Sequence, residues 1–252
     1  MTTLSIIPLS GLPAIQPDCD LAAEIHAAMD RQGVTLEDGD IVVMAQKIIS
    51  KSEGRRVPLS NFSPSSAALE LAARISKDPH YVEAVLSESN AIIRTAPNLL
   101  ITEHRLGHIM ANAGIDQSNI EDGDHSVLLL PVDPDASART LRTQLAPNSS
   151  PRIGIIISDS FGRPWRVGTT GVAIGLAGVP AAIDKRGQTD MFGRTLKATE
   201  IAFADSVATA AVLVMGETDE GTPVAIVRGV AWEESTQTSL NGLRSAAMDL
   251  FR

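Results

Sequence analysis

An acid, two hydroxyls, two guanidiniums and an indole fall together in ISDSFGRPWRVG: Ser158, Asp159, Ser160, Arg163, Trp165 and Arg166. Carboxylate and hydroxyl oxygens suit a hard divalent cation. Planar guanidinium forks suit phosphate or carboxylate. The mixture fits a site for an anionic substrate with its metal, with a surface loop holding a local Asp–Arg pair as the plainer alternative. Upstream, Ile153 and Ile155 to Ile157 read as a short buried strand. The expectation is therefore a strand ending at Ser158 and a chemical loop stiffened by Pro164.

Three further segments carry chemistry by type. In NAGIDQSN, Asp116 and Asn119 follow a strand-like HIMANAG; such residues either close their own turn or supply ligands. In MGETDE, Glu217, Asp219 and Glu220 follow a helix C-terminus, where the dipole already concentrates negative potential and a bound cation would relieve it. Asp116, Asp159 and Glu217 together would make an oxygen-ligand site of the kind Mg²⁺ or Mn²⁺ accepts. The basic edge Lys47, Lys51, Arg55 and Arg56 is either a solvated face or an anion site, and KIISK reads equally as helix or strand. GLPAI, with Leu12, Pro13, Ala14 and Ile15, is a turn whose backbone N–H groups could face a ligand. Asp184 and Asp190, in DKRGQTDMFGR, could serve as bases or simply as turn residues.

Familiar signatures are missing. The chain has no GxxxxGK[ST] loop and no GxGxxG, and HRLGH lacks the glutamate of a zinc-protease helix, so His104 and His108 read as structural.

The elements that must position these residues follow from local signals. LSIIPL is a strand. Asp20 caps a helix through about Gln32 with Gly33 as its stop. DIVVMA is a buried strand that emerges into the basic edge. Ser63-Pro64 and Asp78-Pro79 start two helices. Strands fill Ala91 to Ala113 around a turn near His104–Gly107, and SVLLLP is another. Asp133-Pro134-Asp135 opens a helix to about Leu145. PNSSP, from Pro147 to Pro151, is the best linker. The glycine-rich run from Gly171 to Ile183 suits tight packing; a helix over about Thr199–Met215, a strand VAIVR and a terminal helix complete the chain. The class is α+β, one module over residues 1–252 with a division into two lobes near 150.

The 252 residues can bury a large core. A net charge of −9 argues against nucleic-acid binding, which needs a basic footprint. The N-terminus carries no signal-peptide pattern, the longest apolar run is too short to span a bilayer, and Cys19 alone cannot form an intrachain disulfide. A cytoplasmic protein is expected.

Taken in order, GLPAI, DGDIVVMAQKIISKSEGR, NAGIDQSN, LLLPVDPDASA, ISDSFGRPWRVG, AIGLAG and VMGE resemble the coenzyme F420:L-glutamate ligase family over about residues 4 to 229. The resemblance implies a GTP-dependent ligase that joins L-glutamate to F420-0 and then adds γ-linked glutamates. It implies Mg²⁺ or Mn²⁺, stimulation by K⁺, an intertwined homodimer with the family's own α+β fold, and no C-terminal nitroreductase-like domain. By position, Asp116, Asp159, Ser160 and Glu217 match metal-site residues; Leu12 to Ile15, Gln46, Lys47, Lys51 and Asn119 match GTP contacts. Arg163, Arg166 and Lys51 are then the candidates for stabilising transferring phosphate oxygens or holding substrate carboxylates. A ligase acting on another acid and a non-catalytic nucleotide-binding module are the rival readings.

Overall fold

The computed structural model describes residues 3–250, and its elements follow the apolar runs of the chain. Strand β1 (Ser5–Leu9) precedes helix α1 (Leu21–Gln32). Asp20 caps α1 by accepting the Ala23 N–H at 3.0 Å, and Gly33 closes it in the left-handed region at φ 65°. Strand β2 (Ile41–Ala45) runs directly into helix α2 (Gln46–Ser52), followed by β3 (Arg56–Pro58). Helices α3 (Ser66–Ile75) and α4 (Pro79–Ser87) are capped by Ser65 and Asp78. The α3 cap thus falls two residues after the expected Ser63, because Pro64 lies before the helix and not in its first turn.

Strands β4 (Ser89–Ala96), β5 (Leu99–His104) and β6 (Ile109–Ala111) form a small antiparallel sheet, and β7 (Ser126–Leu128) pairs with β3. Helix α5 (Pro134–Leu145) leads to the long strands β8 (Gly154–Arg163) and β9 (Arg166–Ala177). A two-residue pair, β10 (Ile183–Asp184) and β11 (Glu200–Ile201), precedes helix α6 (Phe203–Met215) and strand β12 (Val224–Arg228).

The central sheet has the order β1-β12-β2-β8-β9, with β2 and β8 parallel and the other pairs antiparallel. Its strands come from both sides of residue 150, so the expected division into lobes near 150 does not pass through it. Alternation decides the faces. Val42, Met44, Ile155, Ile157, Val224 and Ile226 point into a core covered by α1 and α5. Ile41, Val43, Ile156, Ala225 and Val227 point into a second core covered by α6. Burial on both faces explains why these strands read as unbroken apolar runs. A third core packs α3 and α4 against Leu100, Val127 and Leu129.

The expected terminal helix is absent from the described residues. Residues 229–250 instead form an irregular strap with two short 3₁₀ turns. It is held by side chains: Trp232 Nε1 donates to Gly39 O at 2.8 Å, and Gln237 Oε1 accepts the Ala181 and Ala182 N–H groups. Among the described residues no helix is long and apolar enough to cross a membrane.

Both histidines of HRLGH are buried structural groups. His104 lies 3.4 Å from Glu88, which also binds Arg55 at 3.0 Å and Arg105 at 2.9 Å. His108 packs its ring edge-on against Phe161, centroids 5.9 Å apart. Burial, with His104 nearby, pushes the His108 imidazole down to about 4. The unfolded chain then binds the proton more tightly, so stability is whole above about pH 6.5 and falls as pH drops toward 4. The loss expected over that window is about 3 kcal/mol. Denaturant titrations at pH 7.0 and 4.5 should show it, and His108→Phe should flatten the slope; an unchanged slope would assign the acid sensitivity to other groups.

Candidate active site

Strand β8 does not end at Ser158. It continues through Asp159 and Ser160 to Arg163 and folds back as β9, so the expected chemical loop is a long β-hairpin. Its polar residues pair across strands: Asp159 faces Val172 and Ser160 faces Gly171. The register shifts where Ile157 pairs with Gly175 but Ser158 pairs with Ala173, leaving Ile174 as an extra residue. A bulge of this kind re-aims the side chains beyond it, and on β8 these begin with Ser158 and Asp159. The turn is made at Pro164 and Trp165, the latter at φ 66°. Arg163 and Arg166 therefore stand exposed at the hairpin tip, away from the cavity described next.

The two readings of KIISK resolve to helix. α2 starts where β2 ends, placing Lys47 and Lys51 one turn apart on one face. Lys47 Nζ lies 2.7 Å from the Asp116 carboxylate and donates to Ser118 Oγ at 2.6 Å. Lys51 donates to the Asn119 carbonyl at 2.7 Å. Asp116 closes its own turn and pairs with a lysine: it accepts the Ser118 N–H at 2.7 Å and also holds Lys47. Its backbone bridges Leu128, which fixes the loop to β7. Across the cleft, α6 ends at Gly216, and the next residue, Glu217, accepts the Ser160 hydroxyl at 2.7–2.8 Å.

The electrostatics separate the acids. Burial would raise the Asp116 carboxyl, but hydrogen bonds from Lys47 and Ser118 outweigh it and hold the group below its usual range. Asp159 has no such cation of its own. Burial, followed by the charges of Asp116 and Glu217, pushes it up to about 7 against the opposing effects of the Ser160 backbone N–H and Lys47. Lys51 is lowered, first by burial and then by Lys47. Among the described residues no three His, Cys, Asp or Glu side chains are drawn close enough to enclose an ion. The acids stand instead as two engaged pairs, Lys47–Asp116 and Ser160–Glu217, on either side of Asp159.

These groups border one open cavity of about 450 Å³, a size ordinary for small-molecule sites. Leu12, Pro13, Ala14 and Ile15 form one wall; Gln46, Lys47 and Lys51 form another; Asn119, Asp159, Ser160 and Glu217 complete it. Asp116 reaches it through Lys47. Every residue singled out as a nucleotide contact thus lines one space. The loop from Thr218 to Pro223 also lines it, a wall the sequence reading did not include beyond its acids. Asn119 Nδ2 donates to Thr218 O at 3.0 Å and ties this loop to the Asp116 loop. Arg55 leaves the basic edge for the interior, donating to Leu130 O at 2.9 Å and to Glu88. Asp184 chelates Arg186, and Asp190 accepts the Phe192 and Arg194 N–H groups, so both acids serve local turns.

The structure is an α+β body with an acid-and-lysine cavity between a sheet hairpin and two loops, and comparison with known proteins shows its family. Residues 11–229 match the model of the F420-0:gamma-glutamyl ligase family. The coenzyme F420:L-glutamate ligase of Methanothermobacter thermautotrophicus is 44% identical over 91% of this chain and 90% of its own length. The ligase of the same name from Methanopyrus kandleri is 43% identical over 100% of this chain and 99% of its own, and that of Archaeoglobus fulgidus 43% over 90% and 88%. The chain belongs to the F420-0:gamma-glutamyl ligase family.

Proposed function

We propose that this chain joins L-glutamate to coenzyme F420-0, and then adds further γ-linked glutamates, in a GTP- and metal-dependent reaction that passes through an acyl phosphate. The observation that carries the reading is the cavity itself, of about 450 Å³, which Lys47 and Lys51 of α2 line together with Asp159, Ser160 and Glu217. A carboxylate is a poor electrophile, so amide formation at neutral pH needs activation, and the terminal phosphate of a nucleotide supplies it.

By chemistry the donor set suits a hard divalent cation: Asp116, Asp159, Ser160 and Glu217 offer only oxygens. Mg²⁺ or Mn²⁺ bound there would neutralise phosphate oxygens and align them for displacement. Lys47 and Lys51 add positive charge on the same side, and the turn Leu12–Ile15 offers backbone donors to the nucleotide. Positioning of the three reactants supplies much of the rate gain. Stimulation by K⁺ and a cytoplasmic setting belong to the same reading, without nucleic acid or membrane partners. So does a homodimer: Val167 beside the hairpin tip, and Met191 and Phe192 on the segment after β10, expose nearly their whole side chains, as residues awaiting a partner surface do. Arg163 and Arg166 would then face the neighbouring copy.

Mass spectrometry of a reaction containing purified protein, F420-0, L-glutamate, GTP and Mn²⁺ should show species heavier by one or more glutamyl units, absent without metal. GTP hydrolysis with no such product would redirect the reading to another acid. No turnover would leave a nucleotide-binding module.

A further inference from the structure

The cavity wall from Leu12 to Ile15 hangs from the stretch Pro8 to Gly11, and the end of helix α1 grips that stretch by side chains. β1 is an outermost strand of the central sheet, pairing with β12 as far as Leu9 and Val224. One primary amide meets the chain where this pairing ends. Gln32 Nε2 donates to Pro8 O at 3.1 Å, and Gln32 Oε1 accepts the Ser10 N–H at 2.7 Å. The next peptide is held by Arg31, whose Nη2 donates to Gly11 O at 2.8 Å. We propose that Gln32 and Arg31 are positioning residues for the nucleotide, setting this wall in place before a ligand arrives. The inference rests on the nucleotide reading of the cavity and deepens it with two residues that do not line it.

The grip suits its task. A carboxamide carries donor and acceptor together, so Gln32 satisfies two main-chain groups as a neighbouring strand would. Its anchor is rigid. α1 buries Leu21, Ile25 and Met29 in the core. Its end is closed by Gly33 at φ 65° and by the Val34 N–H, which donates to Met29 O at 3.0 Å. Arg31 and Gln32 therefore project from a fixed last turn.

The segment they hold has no regular structure of its own. Gly11 turns the chain at φ 75°, a conformation that glycine adopts without steric cost. Beyond it, Leu12 and Ile15 pack toward the core. Among the described residues no protein acceptor engages the main-chain N–H of Leu12, Ala14 or Ile15. Open donors thus stand on residues that border the cavity, and main-chain N–H groups of this kind suit an anionic ligand. They serve it well only if the segment is already held, because ordering a loose wall on binding costs affinity.

Calorimetric titration with GTP and Mg²⁺, joined to steady-state kinetics, tests this. Removing two neutral hydrogen bonds predicts that Gln32→Ala weakens GTP binding by about 5- to 100-fold, with the KM for GTP rising in step. The KM values for L-glutamate and F420-0 should stay within about twofold of wild type, since only one ligand's wall is loosened. Arg31→Ala should act in the same direction, and Arg31→Lys, which keeps a donor for Gly11 O, should recover part of the loss. Both side chains are exposed, so circular dichroism should match wild type. If wild type binds GTP and both alanine variants bind it equally well, the positioning assignment fails alone. It fails likewise if all three KM values rise together or if the variants lose their fold, which would make the contacts structural. If wild type binds no GTP, the nucleotide reading itself fails.

Discussion

Asp159→Asn should reduce ligase turnover by about a thousandfold, the scale seen when one preorganised charge-stabilising group is removed, while the protein folds normally. The substitution keeps the shape and removes only the charge. The side chain sits in the middle of a paired strand, opposite Val172 and just past the bulge, so its backbone role survives. What is lost is the acid flanked by the Lys47–Asp116 and Ser160–Glu217 pairs. The effect on stability should have the opposite sign. Burial and neighbouring acids push this carboxyl up to about 7. Above the unfolded value near 3.8 the folded state therefore binds the proton more tightly than the unfolded chain does, and ionised Asp159 opposes folding at pH 8. Asparagine removes that opposition, so the melting temperature at pH 8 should equal or exceed that of wild type, the stability-for-function exchange expected of an active-site acid. The paired measurement is turnover by mass spectrometry and melting by circular dichroism. A folded variant with wild-type turnover would remove Asp159 from the site; an unfolded one would make it a structural residue.

What the sequence disclosed was what is locally encoded. Asp20 with Gly33, Asp78 with Pro79, and Asp133 with Pro134 bracket or start their helices as read, because a cap is satisfied by residues three positions away. The both-face burial of β2, β8 and β12 was visible in their unbroken apolar runs. Features decided by distant partners were not visible. α2 is short and contains two isoleucines, so propensity leaves it undecided; Lys47 and Lys51 are fixed by Ser118 and Asn119, 71 and 68 positions away. The polar stretch after Ser158 looks like a loop and is strand because β9 supplies its partner. Arg55 and Arg56 are chemically identical neighbours. Arg55, just before β3, turns inward to Glu88, while Arg56, the first residue of β3, stays near the surface beside Glu121, a choice no composition can show. In the site, the residue types could be read, and so could their match to a family; which cation faces which acid required the packed structure.

Gly175→Ala should cost about 3 kcal/mol, the upper range for overpacking a close contact, and lower the melting temperature by about 6–12 °C for a domain of this size. The outermost strand of the central sheet, β9, is covered along its free edge by helix termini. The Leu176 N–H donates to Asp135 at 2.8 Å, and the Ala173 N–H to Asp205 at 2.9 Å, acids in the first turns of α5 and α6. These carboxylates satisfy edge groups that would otherwise invite another strand, but they reach only if the helices lie almost against the strand. The glycines permit it. A Cβ on Gly175 would meet the Pro134 backbone at 2.5 Å, and one on Gly171 would meet the Ala208 backbone at 2.6 Å. Neither neighbour is a flexible side chain, so a whole helix must shift. The two positions should nevertheless differ in activity. Gly175 pairs with Ile157, before the bulge, whereas Gly171 pairs with Ser160. Gly175→Ala should therefore lose stability and keep turnover at 25 °C, while Gly171→Ala should lose both, because the displaced strand carries the Ser160–Glu217 contact with it. Thermal melts and initial rates for the two variants decide this. A Gly175→Ala protein melting within 2 °C of wild type would mean that α5 can slide along the edge, and that the glycine spacing sets neither the sheet edge nor the position of the hairpin.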